Sequence, residues 1–238
     1  MAGQKTGGRL TLVRHGESVW NRQNRFTGWV DISLSRAGMD EAARAGELLR
    51  EERFDVAFTS TLVRAQDTLY EILKRNRHCD QYMRVHEKSS EWYEHFVPAE
   101  DDARELKIQV SECLNERYYG DLQGRNKDRV REEFGAEQVH IWRRSYAVAP
   151  PNGESLEMTA ERAIPYFRER VSPRLEAGDS VLISAHGNSL RAIIMHLEQL
   201  TREQIVAYEL PTGTPHIYRF DDAMGLLEKR VLTGEQHG

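Results

Sequence analysis

The chain has 238 residues, of which 39% are hydrophobic and 30% charged, so its length allows a sizeable buried core. Lys and Arg number 33 against 38 Asp and Glu, a formal charge of −5, which excludes a global pull toward nucleic acid or anionic membrane. Cys79 and Cys113 lie far apart, with neither a disulfide framework nor a close metal-binding spacing, and no apolar window approaches a signal peptide or a membrane span. A cytoplasmic protein with a loose leader over residues 1–9 is expected.

The first strong element is Leu10-Thr11-Leu12-Val13, which stops at Arg14-His15-Gly16. Such a run suits a strand inside a parallel sheet covered on both faces, and Gly16 permits a tight exit. Residues 21–34 are polar, with Gly28, Phe26 and Trp29, and read as a loop over the strand end. Ser35 can cap a helix whose Ala42, Ala45 and Leu49 share a face. A strand over residues 55–59 and a helix over 60–75 follow. Residues 76–106 lose the pattern and read as a surface insertion with a short helix, and Trp92, Tyr93 and Phe96 read as satellite packing. A strand is expected over 106–114, then a polar two-glycine loop through Gly120 and Gly124. Helices follow over 127–134, 137–147 and 156–170, the last with Pro165 inside it. Val181-Leu182-Ile183 is the clearest strand signal and again ends on histidine and glycine, His186-Gly187. A helix from Ser189, a capping box at Thr201 and Gln204, and a late hairpin around residues 221–225 complete the chain. This order predicts a single α/β domain, a three-layer α/β/α sandwich with a mostly parallel central sheet.

In a parallel sheet the ends carrying His15 and His186 open on one edge, the edge where ligand sites of α/β sheets lie. Either histidine alone would be a packing or surface residue. With Arg14 and Arg64 added, the edge carries a dense positive pocket of the kind a transferable phosphoryl group requires. No metal is then needed.

The motif Leu12-Val13-Arg14-His15-Gly16-Glu17-Ser18, with Ala185-His186-Gly187, resembles the histidine phosphatase superfamily. Arg25-Phe26-Thr27-Gly28-Trp29, Leu114-Asn115-Glu116-Arg117-Tyr118-Tyr119-Gly120, Trp142-Arg143-Arg144-Ser145 and Asn188-Ser189-Leu190-Arg191 narrow the resemblance to the 2,3-bisphosphoglycerate-dependent phosphoglycerate mutases. It spans residues 10–220 in order. The resemblance implies an isomerase of glycolysis and gluconeogenesis that interconverts 3- and 2-phosphoglycerate, with 2,3-bisphosphoglycerate as phosphoryl primer and no metal. His15 matches the nucleophile, which must be neutral with one ring nitrogen held by an acceptor. Arg14, Arg64 and His186 match groups around the phosphoryl oxygens, with Ser18 and Asn188 as further donors. Glu116 matches the acid/base, and anionic phosphates beside it should raise its pKa. Arg117, Tyr119, Lys127, Arg143 and Arg144 match the wall that grips the rest of the substrate, Asn21, Thr27 and Gly28 match contacts from the first loop, and Gly187 follows His186 at the pocket.

Adjacent residues on a helix point about 100° apart, so one of Arg143 and Arg144 would lie on a solvated face by helical geometry alone. The remaining histidines have no partner pattern and read as structural or exposed. Partners are small-molecule phosphoglycerates, with a homodimer or other homo-oligomer compatible with the match and no nucleic acid or membrane. Residues 76–106 exceed the usual connection, residues 145–154 are short for the family, and residues 148–151 leave little chain for a lid; the exclusion of water that the implied mechanism requires is expected of residues 126–152. Two readings compete: a histidine-dependent phosphatase or bisphosphoglycerate mutase/phosphatase, and a non-catalytic phosphate-binding module.

Overall fold

The computed structural model describes residues 7–86 and 105–234. They form a seven-stranded sheet, ordered β3-β4-β2-β5-β1-β6-β7. The strands are β1 (Arg9–Arg14), β2 (Val56–Thr59), β3 (Tyr82–Val85), β4 (Leu106–Val110), β5 (Ser180–Ala185), β6 (Pro215–Phe220) and β7 (Leu226–Val231). β1 to β5 pair in parallel, whereas β6 and β7 form the antiparallel hairpin at one edge.

Alternation along the central strands builds the two cores. Val13, Ala57 and Leu182 point to one face and pack on Ala45 of α2 (Arg36–Leu48), on Leu49 that caps its C-terminus, and on Leu69 and Ile72 of α3 (Val63–Leu73). Leu10, Leu12, Phe58, Val181 and Ile183 point to the other. There they meet Leu190 and Ile193 of a later helix (Gly187–Glu198) and Phe167, Val171 and Leu175. Each fully buried aliphatic or aromatic side chain of this kind stabilises the fold by about 1.5–3 kcal/mol. The result is the three-layer sandwich expected from the strand and helix order.

Ser35 caps α2 by accepting from the Gly38 N–H at 3.0 Å. Gly16 and Gly38 cross so closely that a side chain at either would overlap the other's backbone neighbourhood, which locks the strand exit onto α2. The polar loop of residues 21–34 begins with a short helix the sequence pattern did not signal, α1 (Val19–Arg22), capped by Ser18.

Several boundaries differ from the sequence reading. The expected surface insertion contains β3, which extends the parallel sheet beyond β4; residues 87–104, with Trp92, Tyr93 and Phe96, lie outside the described residues. The leader is already fixed at Gly8, whose N–H donates to Leu175 O at 3.1 Å. The strand expected to reach residue 114 ends at Val110 and passes into a 3₁₀ turn, Glu112–Leu114. Helices α4 (Lys127–Phe134) and α5 (Ala136–Arg144) follow. The helix with the internal proline, α6 (Leu156–Tyr166), runs through Pro165 and widens into a π-helical turn over Phe167–Val171 before α7 (Ser172–Glu176). The helix expected from Ser189 is α8 and begins earlier, at Gly187, followed by α9 (Arg202–Ala207) with the capping box of Thr201 and Gln204. Among the described residues, no helix is long and apolar enough to cross a membrane.

Candidate active site

The parallel register pairs Arg14 with Ala185, and the His15 N–H donates to Ala185 O at 2.9 Å, so the two histidines emerge side by side. Their ring centroids are 4.9 Å apart. His15 Nδ1 lies 2.6 Å from Gly16 O. A carbonyl only accepts, so Nδ1 carries the proton and Nε2 keeps its lone pair. Burial first, then the Arg64 and Arg14 guanidiniums, hold the His15 pKa well below 6.5 against the opposing pull of that carbonyl. The imidazole is therefore neutral near pH 7 and presents an unprotonated nucleophilic nitrogen.

His186 is fully buried, and its Nε2 lies 2.7 Å from Ser60 Oγ. That hydroxyl also accepts from the Leu62 N–H at 3.1 Å and has both a hydrogen and a second lone pair to offer Nε2. His186 Nδ1 is a buried atom without a protein partner. Burial, then Arg64, His15 and Arg14, keep the His186 pKa well below 6.5 as well.

Two lowered histidines impose a pH dependence on folding. Below pH 6.5 the unfolded chain takes up protons at these positions and the folded chain does not, so their contribution is complete above that value and is lost as pH falls. His216, buried on β6 and held at about 4, adds to the same trend. The melting temperature should fall steadily from about pH 6.5 toward pH 4; a flat profile in that window would contradict neutral buried imidazoles.

Arg64 stands in the first turn of α3, whose exposed Val63 N–H is capped across the chain by Asp31 Oδ1 at 2.6 Å. Its Nη1 and Nη2 donate to Val30 O and Gly28 O at 3.0 and 2.7 Å, which leaves Nε 3.4 Å from His15 Nε2. Burial lowers its pKa to about 10, still fully charged near neutrality. Arg14 donates from Nη1 to Leu210 O at 2.8 Å, and its buried Nε has no protein partner. Gly28 adopts φ +56°, and a side chain there would collide with the Gln123 amide. That amide oxygen accepts from the Trp29 N–H at 2.7 Å.

Glu116 is buried between these groups. Its Oε1 accepts from the Arg117 N–H at 2.8 Å and from Asn188 N and Nδ2 at 3.1 and 2.7 Å. Burial pushes its pKa up, but these donors, with Arg14 and Arg64, outweigh it and hold the carboxyl below the usual range. The protein's own groups thus act opposite to the expected elevation, which only a ligand's phosphates would bring. The main chain of Glu116 is clamped as well. Arg162 of α6 donates to the carbonyls of Cys113, Asn115 and Glu116 at 2.9, 3.0 and 2.9 Å, and its charge is paired with Glu154 at 2.8 Å. Trp29 Nε1 reaches the same Glu116 carbonyl at 2.5 Å.

A cavity of about 170 Å³ opens over this cluster. Arg14, His15, Asn21, Thr27, Gly28 and Arg64 line one side, and Glu116, Tyr119, Gly187 and Asn188 another. Lys127 at the start of α4, with Arg143 and Arg144 at the end of α5, completes the wall. Burial and neighbouring cations lower the pKa of Lys127 and Arg143, so a bound anion would relieve their mutual repulsion.

Three expected contacts are placed differently. Ser18 Oγ is buried in the cap of α1, bonded to Asn21 Oδ1 at 2.9 Å, and does not reach the cavity. Arg117 lies behind the wall, its guanidinium 4.7 Å from the Tyr119 ring and its Nη2 3.2 Å from Tyr119 Oη, and so supports Tyr119 from behind. His186 sits beneath the lining, against His15. Four lining residues were not singled out from sequence: Arg25, Phe26, Arg191 and Glu209. Arg25, Phe26 and Arg191 do fall within the motifs that carried the resemblance, and that was their only signal.

Ring or carboxylate atoms of His15, Glu116 and His186 lie within 4.8 Å of one another, a donor set a cation could use. Arg14 and Arg64 beside them oppose a cation and favour an anion. Chemically, the arrangement offers a neutral nucleophile, fixed donors around it and a carboxylate within the same enclosure.

The family model of the histidine phosphatase superfamily, branch 1, matches residues 10–95 and 97–232. A 2,3-bisphosphoglycerate-dependent phosphoglycerate mutase of Pseudoalteromonas atlantica is 64% identical over 223 residues, 94% of this chain and 98% of that protein. The chain belongs to branch 1 of the histidine phosphatase superfamily, among the 2,3-bisphosphoglycerate-dependent phosphoglycerate mutases. A phosphoglycerate mutase of Schizosaccharomyces pombe is 51% identical over 225 residues, 94% of this chain and 95% of that protein. Solved structures share the superfamily fold at lower identity. Bacillus stearothermophilus YhfR, 23% identical, superposes with a TM-score of 0.72 over 92% of this chain and 94% of its own. Mycobacterial hydrolase 1, also 23% identical, gives 0.71 over 95% and 97%.

Proposed function

We propose that this mutase-family enzyme interconverts 3-phosphoglycerate and 2-phosphoglycerate through a phosphohistidine at His15, primed by 2,3-bisphosphoglycerate, in the cytoplasmic reactions of glycolysis and gluconeogenesis. The observation that carries the reading is the His15 ring, tied at Nδ1 to Gly16 O, so that the unprotonated Nε2 faces the Arg64 Nε donor. In the first transfer, the free hydroxyl oxygen of the monophosphoglycerate attacks the phosphorus carried by His15 as the nitrogen–phosphorus bond breaks, and the Glu116 carboxylate takes the hydroxyl proton. The bisphosphate so formed reorients. In the return transfer, the His15 Nε2 lone pair attacks the other phosphorus as its bond to the glycerate oxygen breaks, and Glu116 gives its proton to that oxygen.

Unused donors suit the phosphoryl oxygens: Arg14 Nε has no protein partner and Arg64 Nε already faces His15 Nε2, with His186 packed against the His15 ring. Asn21, Thr27 and Gly28 bear on the substrate from the first loop, with Asn188 and Gly187 opposite. Tyr119, Lys127, Arg143 and Arg144 grip the remaining phosphate and carboxylate, with Arg117 holding Tyr119 in place. The guanidiniums supply the positive charge that the transition state needs, so the proposal includes no metal. Residues 126–152, including α4 and α5, carry the wall that keeps water from phosphorylated His15.

The test is turnover of 3-phosphoglycerate by the purified protein with and without added 2,3-bisphosphoglycerate. Formation of 2-phosphoglycerate that depends on the primer is expected. Free phosphate as the main product would overturn the mutase reading.

A further inference from the structure

A cavity built to bind anions carries two carboxylates, Glu116 and Glu209, and the mechanism uses only the first. Glu209 lies in residues 206–210, a segment whose alternate carbonyls hold three cavity arginines. Val206 O accepts from Arg144 Nη1 at 3.4 Å, Tyr208 O from Arg191 Nε at 2.9 Å and Leu210 O from Arg14 Nη1 at 2.8 Å. Arg144 alone of the three has a second tie to the segment, an ion pair from Nη2 to Glu209 Oε1 at 3.2 Å. The Glu209 side chain is 72% exposed, so it can swing into solvent without breaking any packing. Arg144 is thus drawn to residues 206–210 by a charge that a ligand can displace.

We propose that Glu209 is a specificity-determining residue: a built-in competitor for Arg144 that lowers the preference of the site for doubly phosphorylated over singly phosphorylated ligands. This rests on the phosphoglycerate reading above. An incoming phosphate must take Arg144 from Glu209, and the Glu209 carboxylate repels whatever anion arrives. The first penalty is the same for any ligand that takes Arg144, whereas the repulsion grows with ligand charge and so weighs most on the bisphosphate. The bisphosphate intermediate is consequently held less firmly than the arginines alone would hold it, which favours its reorientation between the two transfers.

The experiment measures binding by calorimetry in a His15→Ala background, where no group can be transferred, with and without Glu209→Gln. The probes are 2,3-bisphosphoglycerate, 3-phosphoglycerate and inorganic phosphate at low ionic strength. Glu209→Gln should tighten the bisphosphate about fivefold and the monophosphate about twofold, the scale of an exposed ion pair. The gain should shrink with added salt, and shrink again when Arg144→Ala is also present, since only the repulsion then remains. Tighter binding is an outcome that damage to the fold does not produce. Equal affinities with and without Glu209→Gln, or an equal gain for both phosphoglycerates, would overturn the inference. Binding of inorganic phosphate with neither phosphoglycerate bound would instead overturn the functional reading on which it rests.

Discussion

Replacing His15 by alanine is expected to lower turnover by about 10⁴-fold or more, because no other group in the cavity can take over as nucleophile. The nearest ring, His186, holds its Nε2 against Ser60 and lies beneath the cavity lining, so it does not present a nitrogen to the cavity as His15 does. The Glu116 carboxylate is committed at Oε1 to three N–H donors. The measurement is steady-state turnover together with transfer of a labelled phosphoryl group to the protein, trapped under alkaline conditions that preserve phosphohistidine. The wild type should carry the label and His15→Ala should carry none. Near-normal turnover in the variant would remove His15 from the reaction.

Glu116→Gln tests the proton-transfer role with the least disturbance. The amide oxygen of glutamine can accept from Arg117 N and Asn188 as Oε1 does now, so the enclosure should stay assembled. Proton transfer is lost, and turnover should drop about 10²- to 10⁴-fold. Removing a negative charge next to Arg14 and Arg64 should leave phosphoglycerate affinity unchanged or tighter. A fall in affinity with turnover preserved would make Glu116 a binding group rather than an acid/base.

The part of the site built on the sheet was legible in the sequence because it follows from local pattern. An apolar run ending in histidine and glycine occurs twice, and parallel pairing of β1 with β5 converts two distant motifs into neighbouring rings. The strand β3 was missed because it is short and its residues alternate between exposed and half-buried, leaving no continuous apolar run to read. Helical geometry alone separates Arg143 from Arg144, yet both line the cavity. The reason is the end of α5: Ser145 is extended, and Arg144 is redirected by Val206 and Glu209 from a distant segment. Arg191 and Glu209 escaped for the same reason, since their place depends on how residues 206–210 run past the cavity. The sense of the Glu116 pKa depends on counting donors that come from two separate segments, which no spacing reveals.

Arg162 gathers the carbonyls leading into Glu116 from a helix that contributes no residue to the cavity lining. The acid/base loop and α6 therefore constitute one portable unit for protein engineering. A chimera that imports residues 111–124 into a related scaffold would carry the carboxylate without its aim unless the Glu154 and Arg162 pair travels with it.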